Sequence, residues 1–257
     1  VGRLIAYLKD SGQYDNTMII FIQGDNGSSA EGGLDGALFQ QTTMNGMKED
    51  VPYLLSHIDE IGGPNVYNHF PAGWAWAMNA PFRYYKQVAS YFGGTRNGMV
   101  ISCPQKIRDG GGLRSQFHFV ADIAPTIYEA AQITIPDQVD GVPQQAMDGI
   151  AMNYTFDRPA EASRRHVQYF EMGGNAAIYQ DGWVAAMEPY RDPWDYMRPV
   201  KFDPLTQPWS LYDVRSDFSE AADVSGRHPE KLAAMKSVVW NQAGKNQDPR
   251  MLEFRWL

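Results

Sequence analysis

The run Met18-Ile19-Ile20-Phe21-Ile22 limits what this chain can fold into more than any other stretch. Five consecutive apolar residues, mostly β-branched or aromatic, offer no polar face to solvent, so they predict a strand buried on both faces of a parallel sheet. Upstream, Val1, Leu4, Ile5 and Leu8 recur at helical spacing, and the helix they predict stops near Asp10-Ser11-Gly12, where glycine ends it. A helix followed by a buried strand is α/β grammar. A chain that opens on helical spacing without an initiator Met also reads as one begun inside a domain.

Residues 28–81 are rich in Gly, Pro, Asn and aromatics with little periodicity, and predict a long irregular excursion with one short helix. Residues 97–104 predict a second short strand stopped by proline. Apolar positions 117, 120, 123, 124, 127, 130 and 131 then trace one helical face, with Pro125 either kinking that helix or marking its first turn. The Pro- and Gly-rich stretch 136–159 reads as a connection. Beyond it, 167–170, 177–179 and 183–186 are short strand candidates separated by Gly-Gly-Asn and Asp-Gly turns, with 209–213 a further one and a closing helix over 228–240 opened by Pro229. The expected organisation is a main α/β region over 1–160 and a small α+β subdomain over 161–257, an antiparallel sheet with a packed helix.

The composition narrows the partners. With 44% hydrophobic residues the 257-residue chain can bury a sizeable core, and its single cysteine, Cys103, forms no internal disulfide. A formal charge of −8 disfavours nucleic acid and anionic membranes, because both repel such a surface. An anionic substrate therefore needs local cations. No apolar run reaches the roughly 18 residues of a membrane span.

Gly24-Asp25-Asn26-Gly27 follows the first strand directly, and open α/β sheets bind ligands at the carboxyl ends of their strands. Asp25 and Asn26 offer one charged and one neutral hard oxygen, a pair suited to Ca²⁺ or Mg²⁺ rather than a softer metal. The same residues also spell a plain turn, since Asp-Asn and Asn-Gly are favoured there. Two donors fall short of a shell of roughly six oxygens, so the metal reading needs ligands from elsewhere. Asn26-Gly27-Ser28 and Asn153-Tyr154-Thr155 match the glycosylation sequon as well, a pattern that chance explains.

Several stretches, in this order, resemble the type I sulfatases of the alkaline-phosphatase superfamily, bacterial arylsulfatases in particular. They are Val1-Gly2-Arg3-Leu4, the strand with Gly24-Asp25-Asn26-Gly27, Ala80-Pro81-Phe82-Arg83-Tyr84-Tyr85-Lys86, Phe92-Gly93-Gly94-Thr95-Arg96-Asn97, Val120-Ala121-Asp122-Ile123-Ala124-Pro125-Thr126 and Trp209-Ser210-Leu211-Tyr212-Asp213. Each is weak alone; their order carries the resemblance, which covers nearly the whole chain. It implies an alkaline-phosphatase-like sandwich with a mixed, mainly parallel sheet, of whose catalytic domain residues 1–160 form the C-terminal portion. It implies that Asp25 and Asn26 help to hold a metal, Ca²⁺ with Mg²⁺ as the alternative, together with two N-terminal acidic residues and a formylglycine made from Cys or Ser. It implies that Lys86 contacts the sulfate and the leaving oxygen, as both catalytic and substrate-binding residue, with Arg83 the competing cation.

The motif that yields formylglycine, Cys-x-Pro-Ser-Arg or its serine form, does not occur here. Cys103-Pro104 is not that motif, and Cys103 reads as a buried apolar filler. The family often carries His where Phe119 stands, with His118 one position earlier; neither is assigned a catalytic role, and His57, His69, His166 and His228 read as structural or surface residues. Trp74, Trp76, Phe70 and Tyr67 form an aromatic cluster expected to pack under the excursion rather than stack on a substrate. The resemblance thus implies a parent enzyme that hydrolyses aryl or carbohydrate sulfate esters, of which this chain is a part inactive by itself. A phosphodiesterase or phosphonate hydrolase of the same superfamily and a non-catalytic metal- or partner-binding fragment are the alternatives. The resemblance favours a periplasmic or secreted bacterial protein over a cytosolic one.

Overall fold

Helix α1 forms where the apolar spacing puts it, over Gly2–Asp10, and Gly12 follows in the left-handed region at φ 68°. The computed structural model describes residues 1–195 and 201–252; residues 196–200 and 253–257 of the expected subdomain lie outside the described residues. In chain order come β1 (Ile19–Gln23), α2 (Gln40–Met44), α3 (Val51–Ser56), α4 (Ala72–Asn79), α5 (Phe92–Thr95), β2 (Gly98–Ser102) and α6 (Ile123–Ala131). Then follow β3 (Gln138–Val139), β4 (Val142–Pro143), β5 (Val167–Met172), β6 (Asn175–Gln180), β7 (Trp183–Met187), β8 (Trp209–Asp213), α7 (Pro229–Lys245) and α8 (Pro249–Leu252). This is the mixed α/β class that the sequence predicts. Its contacts gather into two compact units, one from residues 1–23 and 98–166, the other from residues 24–97 and those from 167 onward.

In the first unit β1 pairs with β2, Ile19 opposite Ser102 and Gln23 opposite Gly98. The pairing is antiparallel and the sheet has two strands, and Phe21 and Ile22 are 42% and 38% exposed, so the reading of β1 as a strand buried in a parallel sheet is corrected. The reason is physical: β-branched side chains favour extended backbone locally, whereas direction and burial depend on which other segment reaches the strand. Pro125 sits in the first turn of α6, where its missing N–H costs nothing, and the helix is not broken there. Cys103 is buried, as expected of an apolar filler. Asp122 anchors this unit. Its carboxylate accepts from the backbone of Phe119 (2.9 Å) and Ile150 (2.8 Å), and from the Arg165 guanidinium.

In the second unit β5, β6, β7 and β8 pair in sequence order, each antiparallel to the next. Asp181 and Gly182, both at positive φ (48° and 83°), make the β6–β7 turn, the geometry whose twist matches antiparallel strands. Helix α7 packs on β6 and β7, and Ile178, Met187, Leu211, Met235 and Val239 are fully buried in the core between them. Pro229 opens α7 as expected, and the helix runs past position 240 to Lys245. The excursion holds three short helices, α2, α3 and α4, instead of one. Local capping explains α3: the Asp50 side chain accepts from Tyr53 N (2.8 Å) and Pro52 sits in the first turn, signals too local to appear as periodicity. The aromatic cluster is only partly covered. Trp76 lies edge-on to Tyr84 (5.7 Å) and Tyr85 (6.1 Å), while Trp74 is 63% exposed.

Candidate active site

The Asp25-Asn26 turn is held by backbone close enough to exclude side chains. Gly27 N donates to Gly94 O (3.0 Å), and a Cβ at Gly27 would strike the carbonyl of Gly93. Only glycine permits that approach. Asn97, with its amide oriented to satisfy both groups, donates to Asn26 O (2.9 Å) and accepts from Asn26 N (3.3 Å). Ser28 N donates to Asn79 Oδ1 (2.9 Å), and Asn79 Nδ2 donates onward to Tyr84 O (2.9 Å). One asparagine thus ties the turn to the segment that carries Arg83 and Lys86. Asp25 is exposed and Asn26 half-buried, with Asn26 Nδ2 donating to Gly27 O (2.7 Å), which leaves its Oδ1 as the oxygen able to ligate. The donor chemistry of the pair fits a hard cation. The number does not complete a shell, since among the described residues no group of three or more His, Cys, Asp and Glu could hold a metal.

Lys86 N donates to Ser28 O (3.0 Å), which places its main chain beside the turn. Its ammonium donates to Glu31 Oε2 (3.2 Å). Glu31, a residue that sequence reasoning missed, is 4% exposed and takes three more donors: Ser29 Oγ (2.9 Å), Gln40 Nε2 (2.6 Å) and Gln87 Nε2 (2.6 Å). Burial pushes its carboxyl up, but the bonds from Gln87, Ser29 and Lys86 outweigh burial and hold it below the ordinary carboxylate value. No spacing marks Glu31, because Gln40, Lys86 and Gln87 lie 9, 55 and 56 residues away.

Arg83, the competing cation, is engaged elsewhere. Its Nη1 donates to Tyr212 Oη (2.9 Å), and its guanidinium lies over the rings of Tyr84 (5.4 Å) and Tyr91 (5.2 Å). Behind the glycines, Phe92 N donates to Glu220 Oε2 (2.8 Å), so a buried carboxylate caps the helix that carries Gly93 and Gly94. Glu220 Oε1 has no partner among the described residues, and burial pushes the carboxyl up to about 8. His118 belongs to the other unit, where its Nδ1 lies 3.8 Å from Asp122 and its ring 6.1 Å from that of Tyr154.

The sulfatase family model matches residues 1–133. An uncharacterized sulfatase of Schizosaccharomyces pombe is 26% identical over 239 residues, covering 90% of this chain and 38% of its own length. An arylsulfatase of Klebsiella aerogenes is 27% identical over 154 residues, covering 60% of this chain and 31% of its own length. The fold is similar to that of a protein solved in complex with its substrate D-glucosamine-2-N,6-O-disulfate, with a TM-score of 0.55 and 15% identity over 97% of this chain and 39% of that one. That likeness shows a shared fold over nearly the whole of this chain. The chain spans between about a third and two-fifths of the length of these relatives. The matched segment contains the Asp25-Asn26 turn and Lys86, and the chain belongs to the sulfatase family.

Proposed function

We propose that this chain supplies the metal- and sulfate-binding side of a sulfuric ester hydrolase. The observation that carries the reading is the tether from Lys86 N to Ser28 O (3.0 Å), which brings a cation beside a turn bearing two hard oxygens. Asp25 and Asn26 would hold the cation, Ca²⁺ ahead of Mg²⁺, and when bound it supplies positive charge against the oxygens of the sulfate group. Lys86 binds a sulfate oxygen and offsets charge that develops on the leaving oxygen, work suited to a compact ammonium on a flexible stem. The segment's glycines keep the Asn26 backbone and Lys86 fixed relative to one another. No Cys-x-Pro-Ser-Arg or Ser-x-Pro-Ser-Arg motif occurs in this chain, so its residues bind and orient sulfate rather than attack sulfur. Residues 1–160 belong to the catalytic domain in this reading and 161–257 to a C-terminal subdomain. Aryl and carbohydrate sulfates are the substrate class, the sugar supported by the structural relative that binds a sulfated glucosamine.

Calorimetric titration tests both halves. Asp25→Ala should abolish Ca²⁺ binding, and in the intact enzyme most turnover. Lys86→Ala should weaken phenyl sulfate about 10- to 100-fold, the equivalent of about 1.5–3 kcal/mol for a charge-assisted bond. Unchanged Ca²⁺ affinity in the first variant, or unchanged phenyl sulfate affinity in the second, overturns the assignment.

A further inference from the structure

The Lys86 ammonium already has an anionic partner. Glu31 Oε2 lies 3.2 Å from Nζ, and the Glu31 side chain is 6% exposed while that of Lys86 is 37% exposed. A ligand therefore reaches Nζ from the open side with the carboxylate behind it. Glu31 is also fixed in place: Ser29 and Gln40 bind the oxygen that Lys86 binds, and Gln87 binds the other. Burial raises the Glu31 pKa, but the bonds from Gln87, Ser29 and Lys86 outweigh burial and favour the ionised form.

The pair carries no net charge. An anion in hydrogen-bond contact with Nζ lies within about 6 Å of a screened-off carboxylate, a range at which unit charges still interact strongly inside protein. A sulfate monoester brings one negative charge to that place, whereas a phosphate monoester brings about two at neutral pH, its second pKa lying near 6. Nζ is nearer than Glu31 and still attracts the second charge, but the carboxylate at about 6 Å cancels much of that attraction, so Glu31 removes most of the advantage a dianion would have over a monoanion at a lone ammonium. We propose that Glu31 is a specificity-determining residue that neutralises Lys86 from behind, admitting monoanionic sulfate esters and disfavouring dianionic phosphate esters. The inference rests on the reading of Lys86 given above.

Binding of phenyl sulfate and phenyl phosphate, measured by calorimetry in metal-free buffer, tests it. At pH 7.5 the Glu31→Gln variant should bind phenyl phosphate roughly tenfold more tightly relative to phenyl sulfate than the unchanged protein does. At pH 5, where phenyl phosphate is largely monoanionic, the difference should shrink. A ratio that stays put, or equal weakening of both ligands, overturns the inference. Lys86→Ala separates the two failures. If phenyl sulfate weakens there but Glu31→Gln leaves the ratio unmoved, only the role of Glu31 falls; if Lys86→Ala changes neither affinity, the reading of Lys86 falls and this one with it. Should Glu31→Gln not fold, the unchanged protein still decides: from pH 5 to 7.5 phenyl phosphate must gain less than about fivefold on phenyl sulfate, and a larger gain overturns the inference.

Discussion

Asp122 in one unit and Glu220 in the other are both wholly buried carboxylates, yet burial has opposite results for them. Burial pushes the Asp122 carboxyl up, but His118, Arg165 and the backbone amides of Ile150 and Phe119 outweigh it and hold the group far below the ordinary carboxylate range. Glu220 has one backbone donor, Phe92 N, and an oxygen without a partner among the described residues, so desolvation wins and lifts it to about 8. The lesson is that a buried acid stabilises or destabilises according to its donors, and its depth alone says nothing about the sign.

Removing the satisfied carboxylate should have the largest effect. Asp122→Asn leaves Arg165 buried opposite a neutral group, and urea denaturation at pH 7 should show a loss of about 3–5 kcal/mol. Because the Asp122 pKa is depressed on folding, its stabilisation is present above the ordinary value of 3.8 and fades as pH falls below it, so the variant should also lose part of the acid sensitivity of the unchanged protein. Loss below about 1 kcal/mol would break the comparison.

Glu220 should show the reverse slope. Its folded pKa of about 8 lies above the ordinary 4.5, so between those values the folded chain holds a proton that the unfolded chain releases, and stability falls as pH rises from 4.5 towards 8. The fall should be about 4–5 kcal/mol in denaturant titrations at fixed pH, and Glu220→Gln should flatten it. A slope identical in both proteins would remove Glu220 from the comparison.

The smallest effect extends the same contrast to apolar residues. Val100 in β2 is 63% exposed, whereas Ile178 in β6 is wholly buried. Val100→Thr should shift the denaturation midpoint by the equivalent of about 0.5 kcal/mol or less, while Ile178→Ala should cost about 2–5 kcal/mol. Similar losses from both would show that β2 is covered in solution.

Much of the local structure could be read directly. The spacing of Val1, Leu4, Ile5 and Leu8 marks α1, the Asp-Gly and Gly-Gly-Asn turns mark the meander, and Pro229 marks the start of α7, because each signal acts over a few residues. The three helices of the excursion were only partly legible, since caps such as Asp50 work one turn at a time and leave no periodic trace. Of the candidate site, Asp25, Asn26 and Lys86 were named from the order of motifs. Glu31 was not, because its partners come from chain segments up to 56 residues away.

The sequence by itself determined where α1, α7 and the strands of the meander lie, where the Asp25-Asn26 turn falls, and that the chain carries sulfatase motifs in order. Those features follow from side-chain shape and backbone preference within short windows. Tertiary structure alone decided that β1 pairs antiparallel with β2, that Asp122 and Glu220 titrate in opposite directions, and that Lys86 faces a buried carboxylate. Each of these depends on which distant groups share a small volume, where desolvation and hydrogen bonding compete at distances no local pattern records.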